Sequence, residues 1–213
     1  MTTALRIVIV DDHALFRAGL QQTIAEESDM VFCGACAAAH QVLALIATQP
    51  CDVLLLDLSL PDMSGLDLLP QLQRHHPEMA VLMLSGYPET QFGLHALRAG
   101  ARGFISKTAE PAELLRAIRA VARGSRYISQ GLTDVLVNGL GAPTSGPLHQ
   151  CLSQREFQIL CKLAEGAGVT AIGAELNLSA KTISTYRSRV LTKLGLNSNA
   201  DLVTYAIRNQ LLR

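Results

Sequence analysis

Residues 52–65 read Asp-Val-Leu-Leu-Leu-Asp-Leu-Ser-Leu-Pro-Asp-Met-Ser-Gly. Within them, Val53–Leu56 is an unbroken apolar run that ends on a carboxylate, Asp57. A short apolar run without alternation is the pattern of a strand covered on both faces. The flanking sequence keeps the same rhythm in both directions. Strand-like runs at Leu5–Val10, Met30–Ala35, Asp52–Leu56, Ala80–Leu84 and Gly103–Ile105 alternate with helical stretches. The helices fall at roughly Ala14–Ala25, Ala38–Thr48, Leu66–His75, Glu89–Ala99 and Ala112–Arg123. Five βα units predict an open parallel sheet with helices on both sides, and right-handed crossovers leave few topologies.

In such a sheet the carboxyl ends of all strands lie on one edge, where ligands bind. Asp11 and Asp12 follow the first strand, Asp57 the third, Ser85 the fourth and Lys107 the fifth. Three crowded carboxylates repel and raise one another's pKa. A hard divalent cation relieves this, and Mg²⁺ takes one or two carboxylates plus water and phosphate oxygens. A hydroxyl and an ammonium beside that cluster suit phosphoryl oxygens. A carboxylate can then act as a nucleophile and become an aspartyl-phosphate, with metal and Lys offsetting charge. Taken singly, each residue has a plainer reading. Asp12 would cap the helix near Ala14, Ser85-Gly86 would be a turn, and Lys107 a solvated charge. The conjunction of all five at strand ends carries the phosphoacceptor reading.

The 213 residues fit one or two domains, and 17% charged residues is far from a disordered composition. No apolar run reaches the roughly 18 residues of a membrane helix. The start, Met1–Asp12, meets two carboxylates too soon for a signal peptide. A membrane protein, a secreted precursor and a fibrous chain are therefore excluded. The net charge of zero hides an asymmetry: residues 1–148 carry ten Lys/Arg and fourteen Asp/Glu, net −4, and residues 149–213 carry eight and four, net +4. Two modules with different partners follow, the basic one suited to a polyanion. Five cysteines form no disulfide framework. Cys33 and Cys36 make a lone C-x-x-C in a strand-like context, which reads as buried, reduced thiols in a reducing compartment.

After Arg123 the pattern loosens. Leu132–Leu140 reads as a short helix, and Gly139–Pro147, with three Gly and two Pro, as a linker. The expected boundaries are 1–125, a 126–148 linker, and 149–213. In the last segment Ser153-Gln-Arg-Glu156 is a capping box opening a helix to about Glu165. Val169–Asn177 is a short helix. Ser179 caps the next, Ala180–Leu194, which stops at Gly195, and Asn199–Asn209 closes a small all-α module. On the third of these helices Ile183, Tyr186, Val190 and Leu194 share a face, with Leu191 at its margin. Lys181, Thr185, Ser188 and Thr192 lie opposite, flanked by Arg187, Arg189 and Lys193. The plain reading is an amphipathic helix with a solvated basic side. The short helix and tight turn before it match a helix-turn-helix whose second helix enters the DNA major groove. Lys and Arg would then position phosphates, while hydroxyls and Lys reach base edges.

Residues 5–125 resemble the receiver domain of bacterial two-component response regulators. The likeness rests on Ile9-Val-Asp-Asp-His13, Asp57-Leu-Ser-Leu-Pro-Asp-Met-Ser-Gly65, Ser85-Gly86 and Gly100-Ala-Arg-Gly-Phe-Ile-Ser-Lys107. It implies an α/β flavodoxin-like (βα)5 fold with strand order 2-1-3-4-5. It implies phosphorylation of Asp57, Mg²⁺ on Asp12, Asp57 and the Ser59 carbonyl, and Asp11 acting through water. Ser85 and Lys107 would hold the phosphoryl group, with Ser85 and Phe104 as the switch pair. Leu152-Ser-Gln-Arg-Glu156, Leu178-Ser-Ala-Lys-Thr-Ile183 and Lys193-Leu-Gly-Leu196 are similar to the four-helix LuxR-type helix-turn-helix of the NarL/FixJ subfamily. There the resemblance makes Lys181, Thr182, Ser184, Thr185, Ser188 and Arg189 the DNA contacts. Val169 and Ala171 stand where members often carry Asn and Glu, and Tyr186 where His is common.

The whole resemblance implies a cytoplasmic, non-enzymatic transcriptional regulator with no membrane partner. A sensor histidine kinase or small phosphodonor would phosphorylate it, and a homodimer would then bind double-stranded DNA, with RNA polymerase a further partner. Leu202, Tyr205 and Ala206 of the last helix read either as a dimer surface or as intradomain core. One rival is a phosphohydrolase of the haloacid-dehalogenase type, which needs a second Asp two residues after the nucleophile, where Ser59 stands. Another is a phosphorylation-independent DNA-binding or interaction protein, for which Asp57→Asn would leave DNA binding unchanged.

Overall fold

The computed structural model describes residues 4–87, 89–129, 131–133, 149 and 152–212. It divides into two compact units, residues 1–141 and 142–213. The division falls inside the expected linker. Residues 134–148 of that linker, with the expected helix beyond Thr133, lie outside the described residues.

The first unit is a five-stranded parallel sheet of β1 (Leu5–Val10), β2 (Met30–Cys36), β3 (Val53–Asp57), β4 (Ala80–Ser85) and β5 (Gly103–Ser106). Its order, β2-β1-β3-β4-β5, is the flavodoxin-like one. The crossovers are α1 (Ala14–Ala25), α2 (Ala39–Thr48), α3 (Gly65–His75), α4 (Glu89–Arg98) and α5 (Pro111–Ala122). The three central strands are apolar along their buried stretches because helices cover both faces. Ile7–Val10, Val53–Leu56 and Ala80–Leu84 are all buried. On one face Ile7, Ile9, Leu55, Leu82 and Ile105 pack with Leu20 and Ile24 of α1 and with Leu114, Ile118 and Val121 of α5. Burying each such side chain contributes about 1.5–3 kcal/mol, which offsets the ordering entropy of the chain.

The edge strand departs from the sequence expectation. Cys33 and Cys36 are free thiols, as read, but are half-buried rather than buried. Strand β2 pairs only with β1, and Cys33 is the extra residue of a bulge, since Ile7 pairs with Phe32 and Val8 with Gly34. An outermost, bulged strand lacks the two-sided cover of β1 and β3.

Helix α2 has no cap of its own, because Ala38 stands at its N-cap. Asp62, in the loop after β3, supplies one. Its Oδ1 accepts from Ala39 N at 2.9 Å, and its Oδ2 accepts from His40 N at 2.9 Å and meets His40 Nδ1 at 2.8 Å. Burial pushes this carboxyl up, but these bonds outweigh it and hold the group at about 2. The loop that follows Asp57 is thereby tied to a neighbouring helix.

The second unit consists of α6 (Gln154–Ala164), α7 (Val169–Glu175), α8 (Ala180–Leu194) and α9 (Asn199–Arg208). The capping box forms as read: Glu156 N donates to Ser153 Oγ at 3.4 Å, and Ser153 N to Glu156 Oε2 at 2.7 Å. Ser179 Oγ accepts from Thr182 N at 3.0 Å and starts α8. A second capping box, Ser198 with Asp201, starts α9. Helix α7 is shorter than expected because Asn177 adopts a left-handed φ of 53°, which a continuing helix does not admit. Gly168 opens α7 without a side-chain cap, next to the two positions where the family's Asn and Glu are replaced. Leu202 and Ala206 are fully buried, and His149 N donates to Tyr205 Oη at 3.0 Å. Of the two readings, the structure gives intradomain core for Leu202 and Ala206, while Tyr205 is half-buried.

Candidate functional site

Register brings the acidic residues together. Val10 of β1 pairs with Leu56 of β3, so Asp11 and Asp57 are the next residues on adjacent strands. Ser85 pairs with Ser106, and Lys107 N donates to Ser85 O at 2.7 Å, which carries the lysine to the same edge. Asp11 and Asp57 are buried, at 0% and 1% exposure. Lys107 Nζ donates to Asp57 Oδ2 at 2.9 Å and lies 2.7 Å from Asp11 Oδ2. The second approach is an ion pair without hydrogen-bond alignment, so buried Asp11 Oδ2 accepts no hydrogen bond. Asp12 is exposed at the rim, 2.7 Å from His13 Nδ1. His13 N donates to Asp11 Oδ1 at 2.8 Å, and Ser59 N to Asp57 Oδ1 at 3.0 Å.

The Asp57 carboxylate is seated by a close backbone approach. Gly65 N donates to Leu58 O at 3.0 Å, and Ser59 and Ser64 form a bridge that closes the loop. A Cβ on Gly65 would stand 2.3 Å from Asp57 O, so only glycine lets α3 start there. Ser85 is buried, and its Oγ accepts from Tyr87 N at 2.9 Å. Phe104 is fully buried; its neighbour Ile105 belongs to the core under α1 and α5, so by strand alternation Phe104 faces the other side.

Burial pushes the Asp57 carboxyl above the ordinary range, Asp11 adds to that, and Lys107 opposes it. Ligand atoms of Asp11, Asp12, His13 and Asp57 all lie within 4.8 Å of one another. Donors around an octahedral ion with bonds near 2.1 Å sit roughly 3–4.2 Å apart, so small adjustments suffice. Together with the buried Asp11 oxygen that accepts no hydrogen bond, the three carboxylates of this set, hard oxygen donors, fit Mg²⁺. Of the five strand-end residues read from the sequence, Asp11, Asp12, Asp57 and Lys107 come together here, and Ser85 ends the neighbouring strand β4. His13 was not among them; its only signal is adjacency to Asp11-Asp12.

In the second unit α8 buries Ile183, Val190 and Leu194, while Tyr186 is half-buried with the Arg189 guanidinium 5.8 Å from its ring. Lys181, Ser184, Thr185, Ser188 and Arg189 are exposed. Thr182 is half-buried, its hydroxyl 2.8 Å from Ser179 Oγ. The remaining hydroxyls bond back to the helix, Ser184 to Ala180 O and Ser188 to Ser184 O, and keep a thin polar surface. Two of the four positive charges are tied within the unit. Lys193 Nζ is 2.7 Å from Glu156 Oε2, and Arg187 Nε donates to Asn199 Oδ1 at 2.6 Å.

Residues 7–119 match the response regulator receiver domain family, and residues 150–206 the luxR family of bacterial regulatory proteins. The chain is 37% identical over 216 residues to the oxygen regulatory protein NreC of Staphylococcus aureus, covering 98% of this chain and 99% of that one. Among solved structures, RcsB from Salmonella enterica serovar Typhimurium, bound to the rprA promoter with the phosphomimetic BeF₃⁻, aligns with a TM-score of 0.66. The identity is 24%, and the match covers 95% of this chain and 98% of RcsB. The response regulator ChrA of a heme-sensing two-component system aligns with a TM-score of 0.54 at 25% identity, covering 98% of each chain. The chain belongs to the two-component response regulators. Its LuxR-type half places it in the NarL/FixJ subfamily, whose members are DNA-binding transcriptional regulators rather than enzymes.

Proposed function

We propose that Asp57 is the phosphoacceptor of a cytoplasmic regulator whose second unit binds double-stranded DNA as a homodimer once the first is phosphorylated. The observation that carries this is the Lys107 ammonium set 2.9 Å and 2.7 Å from two buried carboxylates on adjacent strand ends. A salt bridge built only for stability gains little from a second buried anion. With Asp12 at the rim the pocket keeps an excess of negative charge over its one ammonium, which suits a divalent cation that in turn admits a phosphoryl group.

Asp57 attacks phosphorus of a phosphohistidine donated by a sensor histidine kinase, or of a small acyl phosphate. One P–O bond forms as the donor's P–N or P–O bond breaks, and the donor leaves with its electron pair. Lys107 moves its charge onto the incoming phosphoryl oxygens, and the Ser85 hydroxyl donates to another. Asp12, Asp57 and the Ser59 carbonyl would hold Mg²⁺, with Asp11 reaching it through water. When bound, the ion neutralises the carboxylates and offsets phosphoryl charge. The acquired group carries about −1.5 to −2 charges. Once Ser85 turns toward it, the space it leaves is taken by Phe104, and the face built by β4–α4 and β5–α5 shifts.

Lys181, Thr182, Ser184, Thr185, Ser188 and Arg189 are the DNA-facing set of α8, and paired half-sites suit two copies. Exposure of five of these six residues supports that assignment. No described helix is long and apolar enough to cross a membrane, and RNA polymerase is a further partner on the promoter. The test is labelling with radioactive acetyl phosphate. The protein takes up label with Mg²⁺, and EDTA reduces uptake to background. Labelling that ignores EDTA contradicts the reading.

A further inference from the structure

We propose that Asp62 is a positioning residue for metal binding: by anchoring the loop after Asp57 on the N-terminus of α2, it fixes the Ser59 carbonyl where Mg²⁺ is held. The proposal rests on the reading of Asp12, Asp57 and the Ser59 carbonyl as the Mg²⁺ ligands. Residues 58–65 make a tight excursion between β3 and α3. Leu58 N donates to Leu84 O at 2.8 Å, and Gly65 N donates to Leu58 O at 3.0 Å. The second bond flanks the antiparallel bridge between Ser59 and Ser64. In a pair flanked in this way the two residues do not bond to each other, so the N–H and C=O of Ser59 both point away from Ser64. Ser59 N meets Asp57 Oδ1 at 3.0 Å. The carbonyl of the same residue is therefore directed to the pocket side as well.

The tip of this excursion is held from outside the loop. Between the bridged serines, Leu60 is buried and Pro61 has a fixed φ. Asp62 follows, and it reaches α2, whose N-cap residue, Ala38, makes no side-chain cap. The first N–H groups of a helix lack intrahelical partners. Asp62 satisfies two of them: Oδ1 accepts from Ala39 N and Oδ2 from His40 N, each at 2.9 Å. Oδ2 also lies 2.8 Å from His40 Nδ1. Oδ1 accepts from Met63 N at 3.1 Å, which sets the carboxylate against its own loop. A carboxylate at this end of a helix gains from the helix dipole as well.

A cap at position 38 would satisfy the same amides and leave the loop alone. A cap supplied from position 62 restrains the loop too. Ser59 is then held from both directions: by Asp57 and the bridge to Ser64, and by the buried Leu60 and the anchored Asp62. A carbonyl set in place before the ion arrives loses less freedom when the ion binds. Groups that orient a metal's ligands without touching the metal typically alter its affinity 10–100-fold. Asp62 is not one of the ligands, so it acts on the affinity for Mg²⁺ and not on the phosphoryl transfer that follows.

The experiment titrates Mg²⁺ into the full ¹⁵N-labelled chain and follows the amides of Asp57, Ser59 and Gly65 by NMR. In Asp62→Ala the dissociation constant for Mg²⁺ rises about tenfold. Labelling of that variant by acetyl phosphate is slow at low Mg²⁺ and regains the unsubstituted rate once Mg²⁺ saturates. Asp62→Asn, which keeps one acceptor oxygen, falls between the two. Ala38→Ser in the Asp62→Ala background separates positioning from capping. A serine N-cap gives α2 its own acceptor and restores the melting temperature, while Mg²⁺ affinity stays weak. Unchanged Mg²⁺ affinity in Asp62→Ala overturns the proposal, as does an affinity that returns together with the melting temperature in the double variant. An unsubstituted protein whose Ser59 amide does not respond to Mg²⁺ overturns the metal assignment, and the proposal with it.

Discussion

In an Asp57→Asn protein, labelling by acetyl phosphate is expected to fall to background while the fold is kept. The amide is nearly isosteric and has no nucleophilic oxygen anion. The same change is expected to raise thermal stability in EDTA. Burial and Asp11 lift the Asp57 carboxyl above its ordinary range. A folded-state pKa above the unfolded value of about 3.9 means that ionisation at neutral pH costs folding free energy. That cost is present above the folded pKa and is relieved as pH falls through it. Asparagine removes it at all pH values, and Lys107 keeps its partner in Asp11 at 2.7 Å. Each kcal/mol relieved raises Tm by roughly 3–4 °C in a unit of this size. The advantage shrinks when pH is lowered, and also when Mg²⁺ is added, because the ion stabilises only the unsubstituted pocket fully. Melting curves with and without Mg²⁺, at pH 7 and pH 5, check the sign.

The second large effect is expected on α8. Lys181 and Arg189 are exposed, and their replacement leaves the buried Ile183, Val190 and Leu194 untouched. In a Lys181→Ala/Arg189→Ala protein, affinity for duplex DNA falls, and the slope of log affinity against log salt flattens by about 1.8. Each lost phosphate contact contributes roughly 0.9 to that slope. Titrations at several salt concentrations on one duplex measure it. Lys193→Ala has a different signature. Its ammonium sits 2.7 Å from Glu156 in the capping box of α6, so its loss destabilises the unit more than it alters the slope.

The fold was legible because Ile7–Val10, Val53–Leu56 and Ala80–Leu84 are buried and therefore unbroken apolar runs. The pocket was legible for a related reason: in a parallel sheet, the residue after each strand falls on one edge, whatever the intervening helices contain. What the sequence hid depends on pairings between distant residues. Asp62 caps a helix that begins 23 positions earlier, and no local pattern announces it. The half-exposure of Cys33 and Cys36 follows from β2 being an edge, which strand order alone decides. Lys193 looked like one more cation of a basic helix, until Glu156 of another helix proved to face it. Leu132 opened the stretch read as a short helix, and nothing in the local pattern announced its burial against Gly93 of α4.

The most direct test of the central claim is chemical trapping. An aspartyl-phosphate is an acyl phosphate, and borohydride reduces it to homoserine. Protein phosphorylated by acetyl phosphate and Mg²⁺, reduced and then digested, should carry homoserine at position 57 and at no other aspartate. Homoserine at Asp11 or Asp12, or none at all in protein that has taken up label, would contradict the assignment of Asp57 as the acceptor.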